Sequence, residues 1–177
     1  MRNQKGFTLI ELIIVIVVLG ILAVTAAPQF IDFSSDARTS TVKGLKGAIQ
    51  GASNVTYGKS SLDGENTLAK TETPAPSADG ITTSYGYPTA NGDGIIAAMQ
   101  IDASAQKADD TADFVYLVDG GNNTIYIVPT DQVTTEDTGE LASTATYTDT
   151  SCYVQYTEAT GVGTAAKFTI DVVSSGC

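Results

Sequence analysis

Histidine and tryptophan are absent from this chain of 177 residues, and cysteine occurs only twice. Without histidine there is no imidazole base, no Ser-His-Asp or Cys-His nucleophile and no familiar zinc site. Without tryptophan, paired carboxylates lack the aromatic-lined cleft expected of a glycosidase. Positive charge is scarce as well: nine Lys and Arg face twenty Asp and Glu, for a net charge of −11. From residue 71 onward only Lys107 and Lys167 offset fifteen carboxylates. Such a surface disfavours nucleic acid, whose phosphates need cationic contacts, and suits solubility and mutual repulsion outside the cell. These absences point away from an enzyme and call for no cofactor. About 150 residues follow the first 28, enough for one domain with its own core and too few for two.

What the chain does have is a long apolar run with one charge inside it. Residues 7–27 read Phe-Thr-Leu-Ile-Glu and then continue through Leu, Ile, Val, Gly and Ala without another charge. As a helix, Phe7–Ala27 would be about 31 Å long, enough to cross a bilayer core. An ionised Glu11 inside that segment costs roughly 2.5–3.5 kcal/mol on insertion scales, so it needs a compensating partner. A cut between Gly6 and Phe7 would create one, because the new α-amino group of Phe7 lies four residues away, about 6 Å along the axis. An ordinary secretory signal would use Arg2 and Lys5 as its basic end and cut near Ala26 or Ala27. Its apolar core would then be too long, Glu11 would interrupt it, and Pro28 would sit at or beside the cut. A plain transmembrane anchor accounts for the length and leaves Glu11 unexplained.

Gly6-Phe7-Thr8-Leu9-Ile10-Glu11, followed by the unbroken apolar stretch, resembles the amino-terminal signal of type IV pilin precursors. The resemblance implies that a prepilin peptidase in the membrane cuts after Gly6 and methylates the amino group of Phe7. It also implies that Glu11 of an incoming subunit pairs with the Phe7 amine of a neighbour already in the filament. The expected partners are therefore identical subunits in a helical filament, the peptidase and the assembly machinery of the inner membrane. The subunit would reside in that membrane before assembly and in an extracellular pilus afterwards. Export to an oxidising compartment makes a disulfide between Cys152 and Cys177 the default expectation. Closing a loop of about 26 residues stabilises by roughly 3.5 kcal/mol in the chain-entropy picture. Pilins commonly close a carboxy-terminal loop in this way.

The remaining pattern predicts an α+β fold, with one long amino-terminal helix packed by its second half on an antiparallel sheet. Residues 1–6 form the leader and 7–28 the membrane-spanning or filament-core helix. Residues 29–177 form the globular part, with an amphipathic helix over 29–58, a connection over 59–92, and the sheet and disulfide loop over 93–177. Gly20 and Pro28 mark where the helix should loosen, since Gly weakens a helix and Pro removes a backbone donor. Phe30, Phe33, Ala37, Leu45, Ala48, Ala52 and Val55 form the apolar stripe. Gly58 is the expected stop. The connection is rich in Ser, Thr, Pro and Gly, so little regular structure is expected there, and Tyr85-Gly86-Tyr87-Pro88 should pack the loop onto its own domain. Gly94–Ile101 fits either a strand or a helical turn. Phe114–Val118 and Thr124–Val128 flank Asp119-Gly120-Gly121-Asn122-Asn123, a strong hairpin signal, and Tyr153–Thr157 and Lys167–Val173 alternate as two more strands.

Asp109, Asp110 and Asp113 are a candidate calcium cluster, although their spacing fits no dedicated calcium loop. The stretch Phe7–Val55, with Ala23-Val24-Thr25-Ala26-Ala27-Pro28 and Gly44-Leu45-Lys46-Gly47, is similar to the mannose-sensitive haemagglutinin pilins of Vibrio-like bacteria, as is Tyr85-Gly86-Tyr87-Pro88. That resemblance implies adhesion to surfaces or glycans. Two alternatives are a pseudopilin of a type II secretion system and a membrane-anchored adhesin. The cysteine pair and the long polar connection argue against the first, and sheared fibres of this chain would exclude the second.

Overall fold

The computed structural model describes residues 6–105, 111–133, 151–164 and 167–177, and of residues 26–32 the backbone alone. The chain divides into two compact units, Met1–Ala37 and Arg38–Cys177. One helix, α1 (Leu9–Asp63), supplies all the described regular structure of the first unit and opens the second.

In the second unit α1 buries Val42, Leu45, Ile49, Ser53, Thr56 and Ser60, a spacing of three and four residues that keeps them on one face. This corrects the expected stripe. Leu45 is buried, but Phe33 and Val55 are exposed, Ala37 and Ala48 are also exposed, and Ala52 is half-buried. The Phe30 side chain lies outside the described residues. Half of this face is hydroxyl-bearing, a residue type that is mostly exposed, so its periodicity is weak in the sequence.

The helix also runs past Gly58 to Asp63. A Lys59–Asp63 ion pair at 3.2 Å bridges the last turn. Gly64 then adopts φ +76° and closes a Schellman motif, with Glu65 N–H donating to the Ser60 carbonyl (2.9 Å) and Gly64 N–H to that of Ser61 (3.3 Å).

The connection is more ordered than its composition suggests. β1 (Ser77–Ala78), β2 (Ile81–Ser84) and β3 (Tyr87–Pro88) form a small antiparallel sheet. A π-helical turn, Gly92–Ile96, and a short helical turn, Ala97–Met99, follow, so the ambiguous segment is helical. The main sheet has the order β4 (Ala103–Ala105), β5 (Phe114–Asp119), β6 (Thr124–Pro129), β7 (Tyr153–Thr157) and β8 (Thr169–Val173). Its last four strands are antiparallel as expected, but β4 pairs parallel to β5 at the edge. The β5–β6 hairpin turns where expected, with Asp119 Oδ1 accepting from Gly121 N–H (3.2 Å) and Oδ2 from the Asn122 amide (2.6 Å).

Alternation along the strands sorts the side chains into two layers. Ile125, Ile127, Val154 and Tyr156 join Val42, Leu45, Ile49, Ile95 and Phe168 in the principal core. Val115, Val128 and Val133 form a smaller cluster with Leu117, Tyr126 and Tyr153. Cys152 and Cys177 are disulfide-bonded within the principal core, with Cα atoms 4.8 Å apart. Arg38 reaches this terminus from α1, its Nε donating to Asp131 (2.7 Å) and one Nη to the Cys177 carbonyl (3.4 Å).

Tyr156 is fully buried and its hydroxyl donates to the Pro88 carbonyl at 2.6 Å. Burial raises its pKa well above the ordinary phenol value of 10.0. The folded chain therefore holds a proton that the unfolded chain releases above pH 10, so stability should fall by about 1.4 kcal/mol per pH unit from that group. Tyr156→Phe should lose about 1 kcal/mol at pH 8 with the hydrogen bond, and its alkaline decline should be shallower. Urea midpoints at pH 8 and 11 measure both; parallel decline of the two proteins would contradict the assignment.

Candidate functional site

The amino-terminal unit presents its chemistry at the first turn of α1. Thr8 stands just before Leu9, and both its backbone N–H and its hydroxyl donate to Glu11 Oε2, each at 2.7 Å. Glu11 N–H returns a bond to the Thr8 hydroxyl at 3.4 Å. This is a capping box, Thr-x-x-Glu, in which two helix-start donors are satisfied reciprocally. Thr8 was missed as a site residue, although its spacing from Glu11 carries that signal in the sequence. Both Thr8 donors use one carboxylate oxygen, and Oε1 accepts nothing among the described residues. Gly6 and Phe7 precede the helix, with Phe7 almost fully exposed.

Every described side chain from Phe7 to Thr25 is exposed, including Leu9, Ile10, Leu12 and the Ile and Val residues that follow. An apolar surface of this extent marks a contact with protein or lipid. Among the described residues no helix is long and apolar enough to cross a membrane. The described apolar stretch, Leu9–Thr25, rises about 25 Å, short of a bilayer core of about 30 Å. Ala26, Ala27 and Pro28 continue the run, and their side chains lie outside the described residues. The helix continues through Gly20 and Pro28 as one element. Thr25 donates its hydroxyl to the Leu22 carbonyl at 3.0 Å, a bond that tends to bend helices.

The candidate calcium cluster falls largely outside the described residues. Asp109 and Asp110 lie outside the described residues, Asp113 is exposed, and among the described residues no group of three possible metal ligands comes together.

Comparison with known proteins places this first turn in context. Residues 1–27 match the family model described as the prokaryotic N-terminal methylation motif. The chain is 41% identical over 93 residues to a fimbrial protein of Moraxella nonliquefaciens, covering 50% of this chain and 55% of that one. It is 33% identical over 112 residues to the type IV major fimbrial protein FimA of Dichelobacter nodosus, covering 49% of this chain and 70% of that one. A fimbrial protein of Pseudomonas aeruginosa is 46% identical over 56 residues, 29% of this chain and 36% of its own length. The chain thus spans about half the length of the Moraxella relative and more of the Dichelobacter one. No solved structure matches it. With the methylation motif spanning residues 1–27, which include the Thr8–Glu11 turn, and an alignment at 33% identity that covers 70% of FimA, the chain belongs to the type IV pilin family.

Proposed function

We propose that this chain is the structural subunit of a type IV pilus, polymerising through its amino-terminal helix into a surface filament used for attachment. The observation that carries the reading is the capped carboxylate Glu11 set in an exposed apolar helix. Cleavage between Gly6 and Phe7, with methylation of the Phe7 amine, places a positive charge one residue before the cap. Thr8 holds Glu11 Oε2 within the subunit, which leaves Oε1 for the Phe7 amine of a neighbour. An apolar helix gains little by leaving lipid for a protein interior of similar polarity, so this ion pair, and not greasy contact alone, sets the register. Gly20 and Pro28 are the positions where the helix extends as subunits pack. Cys152–Cys177 ties the carboxy-terminal segment into the core of each domain.

The peptidase and the inner-membrane assembly machinery are the partners before polymerisation, and surface glycans are a target of the finished filament. The fimbrial names of the relatives favour a pilus over the pseudopilus of a type II secretion system. Shearing cells that express the chain should release fibres whose only major protein is the mature subunit. Gly6→Val should leave a membrane-bound precursor carrying its leader and yield no fibres, as judged by intact mass and electron microscopy. Mature-sized protein from that variant would contradict the cleavage site, and a membrane-retained wild-type monomer would contradict the filament.

A further inference from the structure

The connection between α1 and the main sheet does more than cross the surface. Tyr57 of α1 stacks on Tyr87 of β3, with ring centroids 4.6 Å apart and planes 21° from parallel. Tyr87 and Phe168 pack edge-to-face, with ring centroids 4.9 Å apart and planes 61° from parallel. The turn between β2 and β3 is shaped to allow this. Gly86 has φ +82°, and a Cβ there would lie 2.9 Å from the Tyr57 ring and 3.0 Å from Asn66. Beside it Tyr85 holds φ +50°, a region few bulky residues adopt, and its N–H donates to the Leu68 carbonyl at 2.8 Å. The Asn66 amide donates to the Tyr57 hydroxyl at 3.3 Å.

Together Tyr57, Tyr85, Tyr87, Asn66, Thr164 and Lys167 line a cleft of about 310 Å³. That volume is near the small end of ligand sites, which span roughly 300–1,000 Å³. Lys167 is the unusual member. It is one of only two cations after residue 71 in a strongly acidic chain. Its ammonium lies 5.4 Å from the Tyr87 ring centroid and 5.0 Å from that of Phe168. Of the domain's described cations, Arg38, Lys59 and Lys70 have carboxylate partners within salt-bridge distance, whereas Lys43, Lys46 and Lys167 have none among the described residues, and of these three only Lys167 lines the cleft.

We propose that this cleft binds a hexuronate ring, the acidic sugar unit of surface polysaccharides. The Tyr85 ring and the surface of Tyr57 not stacked on Tyr87 suit the C–H face of a pyranose, and rigid aromatic rings give contact area at little entropic cost. The Asn66 amide and the Thr164 hydroxyl match ring hydroxyls. The Lys167 ammonium takes the carboxylate, in a domain whose acidity would otherwise repel it. The site deepens the attachment role proposed above and rests on it for its place on a filament, although binding itself needs only the folded subunit.

The test uses the full-length chain in detergent micelles, titrated by NMR with methyl glucuronide, methyl glucoside and acetate. At the efficiency usual for a ligand of this size, the glucuronide should bind with Kd of about 1 mM. The glucoside and acetate should each bind at least about tenfold more weakly, and Lys167→Met should weaken the glucuronide roughly 10- to 100-fold, the range for losing one charge-assisted contact. Lys167→Arg should restore most of the affinity, which a loss of folding would not allow. Equal binding of glucuronide and glucoside, equal binding of acetate, or no binding of the glucuronide at 20 mM (well above its expected Kd of about 1 mM), would each overturn the assignment. A second arm places sheared fibres on immobilised polyuronate. Absence of fibres would count against the filament reading alone, while fibres that ignore polyuronate and subunits that ignore glucuronide would count against the cleft.

Discussion

Glu11→Ala should give processed, membrane-inserted subunits and almost no fibres. Removing the carboxylate makes insertion easier by roughly 2.5–3.5 kcal/mol, so export is not the casualty. Two things are lost instead. The helix start loses its capping box, in which Thr8 donates twice to Glu11 Oε2, at about 0.5–2 kcal/mol. In the proposed filament, a methylated amine at each subunit contact would be left buried without its counter-ion, at roughly 3–5 kcal/mol. The second loss repeats along the filament and decides the outcome. Glu11→Gln separates the two effects, because a Gln can complete a capping box while carrying no charge. The account expects Gln to be nearly as defective as Ala in fibre yield, measured as sheared subunit per cell with subunit levels in the membrane as control. Normal fibres from the Gln variant would assign Glu11 to capping alone.

The second large effect is on stability and lies far from the helix start. Glu158 follows β7 and is only 4% exposed. Its Oε2 accepts from the Ala90 N–H at 2.8 Å, its Oε1 pairs with Lys70, and its own N–H donates to the Asn123 carbonyl at 3.0 Å. Lys70 also donates to the Asn123 side chain at 2.8 Å. One carboxylate thus ties the connection at Lys70 and Ala90 to the hairpin and to β7. Glu158→Ala leaves the buried Ala90 donor without a partner and should cost about 2–4 kcal/mol. Lys70→Met instead strands a buried carboxylate, and should cost as much or more. The double variant should then be less damaging than the sum of the two, with a coupling of about 1–3 kcal/mol in urea unfolding. Additive losses would mean that the pair is incidental.

The sequence was most informative where one residue broke a pattern. Glu11 in an apolar run directed attention to the first turn of α1, because a charge there has few physical explanations. β5, β6 and β7 were legible from alternation over a Gly-Gly-Asn-Asn turn, and their observed bounds differ from the expected ones by no more than one residue. The buried face of α1 was not legible, because Ser53, Thr56 and Ser60 are small polar residues that no apolar periodicity marks as buried. The helix end was misplaced at Gly58 because the stop depends on Gly64 taking a left-handed conformation, and both glycines look alike in the sequence. Glu158 gave no local sign at all. Its partners lie 68 and 88 residues earlier in the chain, and carboxylates are ordinarily exposed. Thr8 is the instructive omission: the Thr-x-x-Glu spacing is a capping signal in its own right, beside the charge that Glu11 carries.

The central claim is that a new chain end at Phe7 answers the charge of Glu11. Intact-mass and amino-terminal sequencing of the protein recovered from sheared fibres tests it directly. The account predicts a chain beginning at Phe7 with one added methyl group on its α-nitrogen and the apolar helix retained. A mature product beginning near Pro28, or fibres whose subunits still carry Met1–Gly6, would contradict it.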